Sequence, residues 1–264
     1  MVALIITSFN LFNALSWATT GVISAGISIA IFTKNPKKRL NQLFALGFFL
    51  WSLSMLFNGL VFVIAYHSIT AANVLRSFCT VCAGFSAVIL FLTAYGLYFG
   101  PGSLNKIALT IFGVLTLAFS LVGAFNDWVA EDGLGGYKTT DNALGKVCVQ
   151  VIPLLFTVAS IVLLVLTLRT LESGLARKRI GLYILGYLMS IIGVLVFVVD
   201  SFIDINQMIL PAISQAIWVA GPVIMLISFY LKTDVEQQEL LLSEEETIIH
   251  VEAVDAQKSE QNPS

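Results

Sequence analysis

Seven long apolar stretches constrain this sequence more than any other feature, because most run for roughly 20 residues without Asp, Glu, Lys or Arg. A helix of that length spans the ~30 Å hydrocarbon core of a bilayer. A backbone inside a bilayer must satisfy its own polar groups, and a β-barrel would instead show alternating segments of about ten residues, so helices are predicted. Their approximate ranges are 9–32, 41–65, 74–99, 105–125, 147–169, 180–203 and 207–231.

This pattern predicts an all-α, polytopic membrane protein. The composition agrees, since 58% of the residues are apolar and 11% are charged, whereas about a quarter are charged in soluble domains. We expect a seven-transmembrane helix bundle over residues 1–232 and a short acidic tail over residues 233–264. The first twelve residues lack the basic region of a secretory signal, so the N-terminus is expected to belong to the mature protein.

The lysines and arginines are distributed unevenly between the two sides of the predicted bundle. Eleven of the 14 lie in the tail or near the loops between helices 1 and 2, 3 and 4, and 5 and 6. The remaining three are Arg76, Lys138 and Lys146. Cytoplasmic loops carry an excess of basic residues. The chain is therefore predicted to lie in the cell membrane with its N-terminus outside the cytoplasm and its tail inside.

Several classes of membrane protein need residues that this sequence does not provide. The net charge of −2 gives no electrostatic basis for nucleic-acid binding. The two histidines, His67 and His250, fall in a loop and in the tail, so no metal site or Ser/His catalytic pair can be assembled within the bundle. Retinal needs a lysine in the middle of helix 7, and Lys232 lies at its end. We expect no enzyme, no cofactor, no metal and no retinal.

Polar side chains within the stretches gather toward the predicted outer face. Asp200 and Asp204 are one helical turn apart and can face Arg76, which lies on the same side of the membrane. Ionisable groups inside a membrane are costly and mark functional sites. The alternative is that both aspartates lie at the solvated interface. The candidate residues of an outer ligand-binding pocket are Asn58, Arg76, Gln150, Asp200, Asp204, Gln207 and Gln215.

The three cysteines lie at similar predicted depths. Cys79 and Cys82 share one face of helix 3, and Cys148 begins helix 5. A disulfide from Cys148 to Cys79 or Cys82 can form if the two Cα atoms come within ~7 Å. The alternative is three small, buried, apolar side chains.

Two further segments carry local patterns. The outer loop from Asn126 to Lys146 is acidic and has a glycine-rich centre, which is typical of a flexible lid. Helix 1 has small residues at four-residue spacing, including Thr20, Ser24 and Ser28. Such a face lets two helix backbones approach closely, so helix 1 is predicted to pack tightly against a neighbour within the bundle.

Three stretches resemble the seven-transmembrane region at the N-terminus of many prokaryotic histidine kinases. They are NPKKRLNQLFALGFFLW at 35–51, DWVAEDGLGGYKTTDNALGK at 127–146 and ARKRIGLYILG at 176–186. The resemblance covers most of residues 9–231 and implies a sensor of external signals. The residues after 231 are too few for a phosphoacceptor helix pair or an ATP-binding domain, so kinase activity is not expected to carry over.

These observations predict a receptor-like or sensory membrane protein that binds a signal at its outer face and relays it to a separate partner. The partner is expected to be a cytoplasmic signalling protein or another membrane protein, besides the lipid bilayer itself. The alternatives are a small-solute transporter or channel, for which internal repeats with broken helices would be expected, and a membrane scaffold.

Overall fold

The computed structural model describes residues 8–125, 127–131, 137–139, 143–172, 174–203 and 209–231, and helices dominate it. Two short strands, β1 (Val129–Glu131) and β2 (Tyr137–Thr139), pair antiparallel as a hairpin. A short helical turn, Ala143–Lys146, and a π-helical stretch, Val147–Val151, lead into the fifth long helix. The long helices are α1 (Ser8–Lys34), α2 (Arg39–Ile64), α3 (Ile69–Phe99), α4 (Lys106–Ala124), α5 (Ile152–Thr170), α6 (Leu175–Ile203) and α7 (Ile209–Tyr230).

The predicted all-α membrane fold is confirmed. Helices α1 to α5 each contain a segment long and apolar enough to cross a membrane. With 29 and 22 residues, α6 and α7 rise about 43 and 33 Å at 1.5 Å per residue, so both are long enough to cross as well. That α6 and α7 also cross the membrane, which would make seven crossings, remains a prediction. The predicted acidic tail, 233–264, lies outside the described residues.

Six of the helices form a closed ring. The order around the ring is α1, α2, α3, α5, α6 and α7, and α7 packs back against α1. The remaining long helix, α4, lies outside the ring against α3 and the π-helical stretch. Every helix of the ring can therefore contribute side chains to one common interior.

The bundle exposes apolar side chains and buries small polar ones. On α4 the exposed set includes Ile107, Ile111, Val114, Leu115, Leu117 and Leu121. The buried set includes Ser24, Ser52, Ser54, Ser86, Ser120 and Ser160. An apolar surface of this kind marks contact with a membrane, and small polar residues are typical of helix interfaces inside one. The chain is an integral membrane protein.

Buried serines join α2 to both of its neighbours in the ring. The Ser28 hydroxyl on α1 donates to the carbonyl of Ala45 at 2.7 Å, and Ser52 on α2 donates to the carbonyl of Gly21 at 2.7 Å. Ser86 on α3 donates to another α2 carbonyl at 2.8 Å. A Cβ added to Gly21 would lie 3.2 Å from the Ser52 carbonyl oxygen. The close packing predicted for helix 1 is therefore confirmed, with α2 as its neighbour.

Loss of one of these interhelical hydrogen bonds is expected to have a small effect. The variant Ser52→Ala should lower the free energy of unfolding by about 0.6 kcal/mol, the mean value for such bonds inside membranes. Reversible unfolding in detergent micelles measures this difference. Ser228→Ala is the matched control, because the buried Ser228 hydroxyl donates to Met225 of its own helix. Equal losses in the two variants would contradict a specific contribution from the α1–α2 bond.

Helices α6 and α7 cross at two glycines. A Cβ added to Gly221 would lie 2.6 Å from the carbonyl oxygen of Gly186, and one added to Gly186 would lie 2.5 Å from the carbonyl oxygen of Gly221. These neighbours are backbone atoms, which cannot rotate away. Pro222 follows Gly221 directly and is fully buried inside α7. Glycine at both positions is what allows the two backbones to approach so closely.

The Asn73 side chain makes three hydrogen bonds that hold the β-hairpin against the bundle. The Asn73 carboxamide oxygen on α3 accepts from the backbone N–H groups of Trp128 and Val129, both at 2.8 Å, and its amide nitrogen donates to the Val129 carbonyl at 2.8 Å. The Trp128 indole N–H donates to Gly123 at the end of α4 at 2.8 Å. Trp128 and Val129 are buried against α2 and α3. We call this side of the bundle the hairpin end.

The hairpin forms part of the loop that was predicted to be a flexible lid. Within residues 126–146, the segment around Trp128 and Val129 is buried and bonded to α3. The glycine-rich centre of the loop, 133–136, lies outside the described residues. Part of the loop is thus an ordered cover on the ends of α2, α3 and α4.

Candidate functional site

The interior of the ring contains a cavity of about 300 Å³. Side chains from all six helices of the ring line it, together with Gln150 of the π-helical stretch. Ligand pockets occur between the helices of bundles and have volumes from about 300 Å³ upward. This cavity is therefore large enough for a small molecule, and its place at the centre of the ring makes it the candidate functional site.

One face of α3 lines the cavity from one end of the cavity to the other. The residues on this face recur at intervals of three and four positions, as expected for a single stripe along a helix. From Arg76 to Leu90 the stripe rises about 21 Å along the helix axis. The cavity is therefore elongated along the bundle. The stripe consists of Arg76, Cys79, Thr80, Ala83, Ser86, Ala87 and Leu90.

The cavity has a polar end, close to the hairpin. Arg76 Nη1 donates a hydrogen bond to the carboxamide oxygen of Asn58, which is buried with 3% of its surface exposed. Asn58 lies near the last turns of α2 and Arg76 near the first turns of α3, so both residues come from the hairpin end. Gln150 lines the same cavity from the start of the fifth helix. These three side chains are the part of the predicted pocket that the structure brings together.

Proline explains why Gln150 lies in a π-helical stretch. Pro153 has no backbone N–H, and in a regular α-helix its ring would clash with the carbonyl of residue 149. The widened turn at Val147–Val151 directly precedes this proline. Such π-helical turns occur often at functional sites. Here the turn carries Gln150 and the following proline, both of which line the cavity.

Aromatic and apolar side chains form most of the remaining wall. Trp17, Phe48 and Trp51 come from α1 and α2 and form the aromatic part, and Leu90 and Met225 line it from α3 and α7. A wall of this kind suits the apolar body of a ligand, while a few polar groups fix its orientation. These residues were not predicted from the sequence, because nothing in their pattern distinguishes a cavity-facing aromatic residue from a lipid-facing one.

Tyr187 on α6 is a buried polar residue of the cavity wall. It is 7% exposed, and its hydroxyl has no hydrogen-bond partner among the described residues. The Thr157 and Ser160 hydroxyls of α5 lie beside it and donate to carbonyls of their own helix. Buried polar groups are nearly always paired with protein or water. An occupant of the cavity could supply the partner for this hydroxyl.

The three cysteines are free thiols in the structure. Cys79 is buried in the cavity wall, where its sulfur lies 3.4 Å from the Ser54 hydroxyl oxygen. Cys148 is buried in a different cluster, which includes Val88 and Phe119. Cys82 is half-buried. The three thiols are not bonded to one another in the structure. The disulfide from Cys148 to Cys79 or Cys82 remains one of the two alternatives that the sequence leaves open.

The side chains of the other four predicted pocket residues are not among those that the structure describes. Asp200 belongs to α6 and Gln215 to α7, but the positions of their side chains are not described. Asp204 and Gln207 lie outside the described residues. The predicted pairing of Arg76 with the two aspartates therefore remains a prediction.

Comparison with known proteins adds no family to this description. No protein-family model matches the sequence, and no curated protein matches it. The resemblance to the sensor regions of histidine kinases stays a prediction.

Proposed function

We propose that the chain is a receptor-like membrane protein, in which a small molecule bound in the central cavity changes the arrangement of the helices. The observation that carries this proposal is that all six helices of the ring line one cavity. A ligand shifts a conformational equilibrium only through its different affinity for the two states. A ligand that contacts every helix makes different contacts, and so has a different affinity, when any one helix moves.

The distribution of basic residues supports an external origin of the ligand. The polar end of the cavity lies at the hairpin end, which the positive-inside rule places outside the cytoplasm. The opposite end carries the basic segments that contain Lys37 and Arg177. There Arg179 Nε at the start of α6 donates to the carbonyl of Leu231, just after α7, at 3.0 Å. This contact joins the two helices at the end where a cytoplasmic partner would detect their movement.

A transporter is the second candidate, because the cavity would serve equally well as a binding site halfway across the membrane. Two prolines favour it. Pro153 lines the cavity at the start of α5, and Pro222 lies inside α7. Prolines inside transmembrane helices free backbone carbonyls and permit bending. A receptor binds its ligand without carrying it across, so uptake of the ligand into sealed proteoliposomes distinguishes the two functions.

Filling the cavity is expected to abolish ligand binding and the helix movement that follows from it. The probes are octanoate, octan-1-ol and octylamine, each added to the protein in lipid nanodiscs. Ala83→Phe places a phenyl ring in the cavity from the middle of the α3 stripe. We expect it to weaken binding of the preferred probe at least about tenfold, or ~1.4 kcal/mol. Isothermal titration calorimetry measures this loss, after correction for partition into empty nanodiscs.

Spin labels at Thr33 and Arg177, which are exposed at the end opposite the hairpin, report the helix movement. The bound probe should change their separation in the parent protein and not in Ala83→Phe. Ala118→Phe is the matched control, because Ala118 is exposed on the peripheral helix α4. Unchanged label separation on binding would contradict a receptor. Probe uptake into proteoliposomes would favour the transporter.

A further inference from the structure

The chemical class of the ligand can be inferred from the charge inside the cavity, provided that the cavity is the binding site proposed above. Arg76 is the one charged side chain among the described residues that line it. Its guanidinium has five N–H donors, and the hydrogen bond to Asn58 uses one of them without neutralising the charge. Arg76 is half-buried, and an opposite charge stabilises a charged group that is partly withdrawn from water. The polar end of the cavity is therefore suited to an anionic group.

The guanidinium can bind a carboxylate through both of its oxygens. Its planar array of donors matches the two oxygens of a carboxylate, and hydrogen bonds between charged groups are stronger than neutral ones. The Asn58 carboxamide, which is bonded to Arg76, has N–H groups that can donate to the same oxygens. Arg76 and Asn58 together provide donors for one small anionic head group, and Gln150 adds a further amide to the cavity wall.

The shape of the cavity restricts the rest of the ligand. Its volume of about 300 Å³ lies at the lower end of the range for ligand pockets, so it suits a small ligand. The α3 stripe extends about 21 Å along the bundle, so the lining is long in that direction. Beyond the polar end the wall is largely apolar, with Phe48, Leu90 and Met225 toward the other end. These dimensions suit an extended chain better than a compact ring system.

We propose that the cavity binds a small amphipathic carboxylate with a chain-like apolar body of medium length. The carboxylate pairs with Arg76 and Asn58 at the hairpin end, and the chain extends along the α3 stripe. Two sources can supply this chemistry, namely a short free carboxylic acid from the aqueous side and a long-chain fatty acid from the bilayer. The cavity volume favours the short acid, because about 300 Å³ lies at the lower end of the range for ligand pockets.

The test compares probes that share one chain and differ in the head group. Octanoate, octan-1-ol and octylamine are titrated into the protein in uncharged phosphatidylcholine nanodiscs, and binding to empty nanodiscs is subtracted. We expect octanoate to bind at least about tenfold more tightly than octan-1-ol, because a hydrogen bond between charged groups is stronger than one to a neutral hydroxyl. Hexadecanoate should not bind in the cavity, so Ala83→Phe should leave its binding unchanged. If Ala83→Phe removes hexadecanoate binding, the occupant is a long-chain fatty acid from the bilayer and not a short acid.

Variants locate the preference for the carboxylate. Arg76→Gln should abolish the difference between octanoate and octan-1-ol. Arg76→Lys keeps the charge but loses the paired donors of the guanidinium, so it should retain only part of the difference. Arg177→Gln is the matched control, because Arg177 is exposed at the opposite end of the bundle. If Arg76→Gln does not fold, the comparison of the three probes on the parent protein gives the result alone.

Two outcomes would overturn the inference and leave the proposed function intact. The first is binding of octan-1-ol or octylamine at least as tight as that of octanoate, with Ala83→Phe still removing it. The second is a preference for octanoate that appears only in Asp200→Asn, because the natural counter-ion of Arg76 would then be Asp200. If all three probes bind Ala83→Phe as well as the parent protein, the cavity is not their site and the proposed function is wrong too.

Discussion

Gly221→Ala is expected to destabilise the bundle by about 1–3 kcal/mol, the usual cost of forcing extra volume into a packed interior. The added Cβ would lie 2.6 Å from the Gly186 carbonyl oxygen and 3.0 Å from the Ser190 backbone nitrogen. Neither atom can move without separating α6 from α7. In Gly186→Ala the added Cβ would lie against the Gly221 carbonyl oxygen in the same way, so the two variants should behave alike. Thermal unfolding in detergent, followed by circular dichroism, measures the loss.

The matched control for this experiment is Gly113→Ala. Gly113 lies in α4, and a Cβ added to it meets no atom within 4 Å. Replacing glycine by alanine in an open helical position stabilises the helix by about 0.5–1 kcal/mol. The same substitution should therefore have opposite signs at positions 113 and 221. A similar change at both positions would show that helix propensity, and not the α6–α7 contact, governs the effect.

A further effect of the α6–α7 contact concerns the cavity. Ser190 lies against Gly221 and also lines the cavity, one turn beyond Tyr187. A wider separation of α6 and α7 would therefore change the shape of the cavity wall. Variants at the two glycines should weaken octanoate binding in addition to lowering stability. This link connects the packing of the helices to the site that they enclose.

Apolar length was enough to predict the helices but not all of their limits. The third and sixth stretches were predicted to begin at residues 74 and 180, whereas α3 begins at Ile69 and α6 at Leu175. In both cases the helix continues through polar residues, which a search for apolar runs excludes. Ser68 marks the true beginning of α3, because its side chain accepts from the backbone N–H of Ala71 as an N-cap.

The arrangement of the helices could not be predicted from the same information. An apolar residue has the same character whether it faces lipid or another helix, so hydropathy does not show which face of a transmembrane helix is inside. Trp51 lines the cavity, whereas Phe49, two residues before it, is exposed. The closed ring and its cavity follow from helix contacts between residues far apart in the sequence.

Polar residues were the informative part of the sequence for the site. Asn58, Arg76 and Gln150 were predicted to share a pocket because polar side chains inside a membrane need partners, and all three line the cavity. The prediction missed Tyr187, whose ring resembles the other aromatic residues of the apolar stretches. It also missed Asn73, which lies too close to the end of its helix to appear unusual among apolar neighbours.

Asn73→Leu is expected to release the hairpin from the bundle while the helices remain folded. The leucine is similar in size to asparagine but can make none of the three hydrogen bonds to Trp128 and Val129. Each buried backbone group that loses its partner costs about 1–3 kcal/mol. The backbone amides of these two residues should therefore exchange with deuterium much faster than in the parent protein. Hydrogen exchange followed by mass spectrometry measures the change within residues 127–131.

Two further variants separate release of the hairpin from general destabilisation. Asn73→Asp retains both acceptor bonds to the N–H groups and loses the donor to Val129, so its exchange should be intermediate. Asn105→Ala removes the N-cap of α4, where the Asn105 side chain accepts from Ala108 at 2.8 Å. That loss costs about 1 kcal/mol without touching the hairpin. Equally fast exchange of the hairpin amides in Asn105→Ala would mean that Asn73 has no special role in holding the cover at the polar end of the cavity.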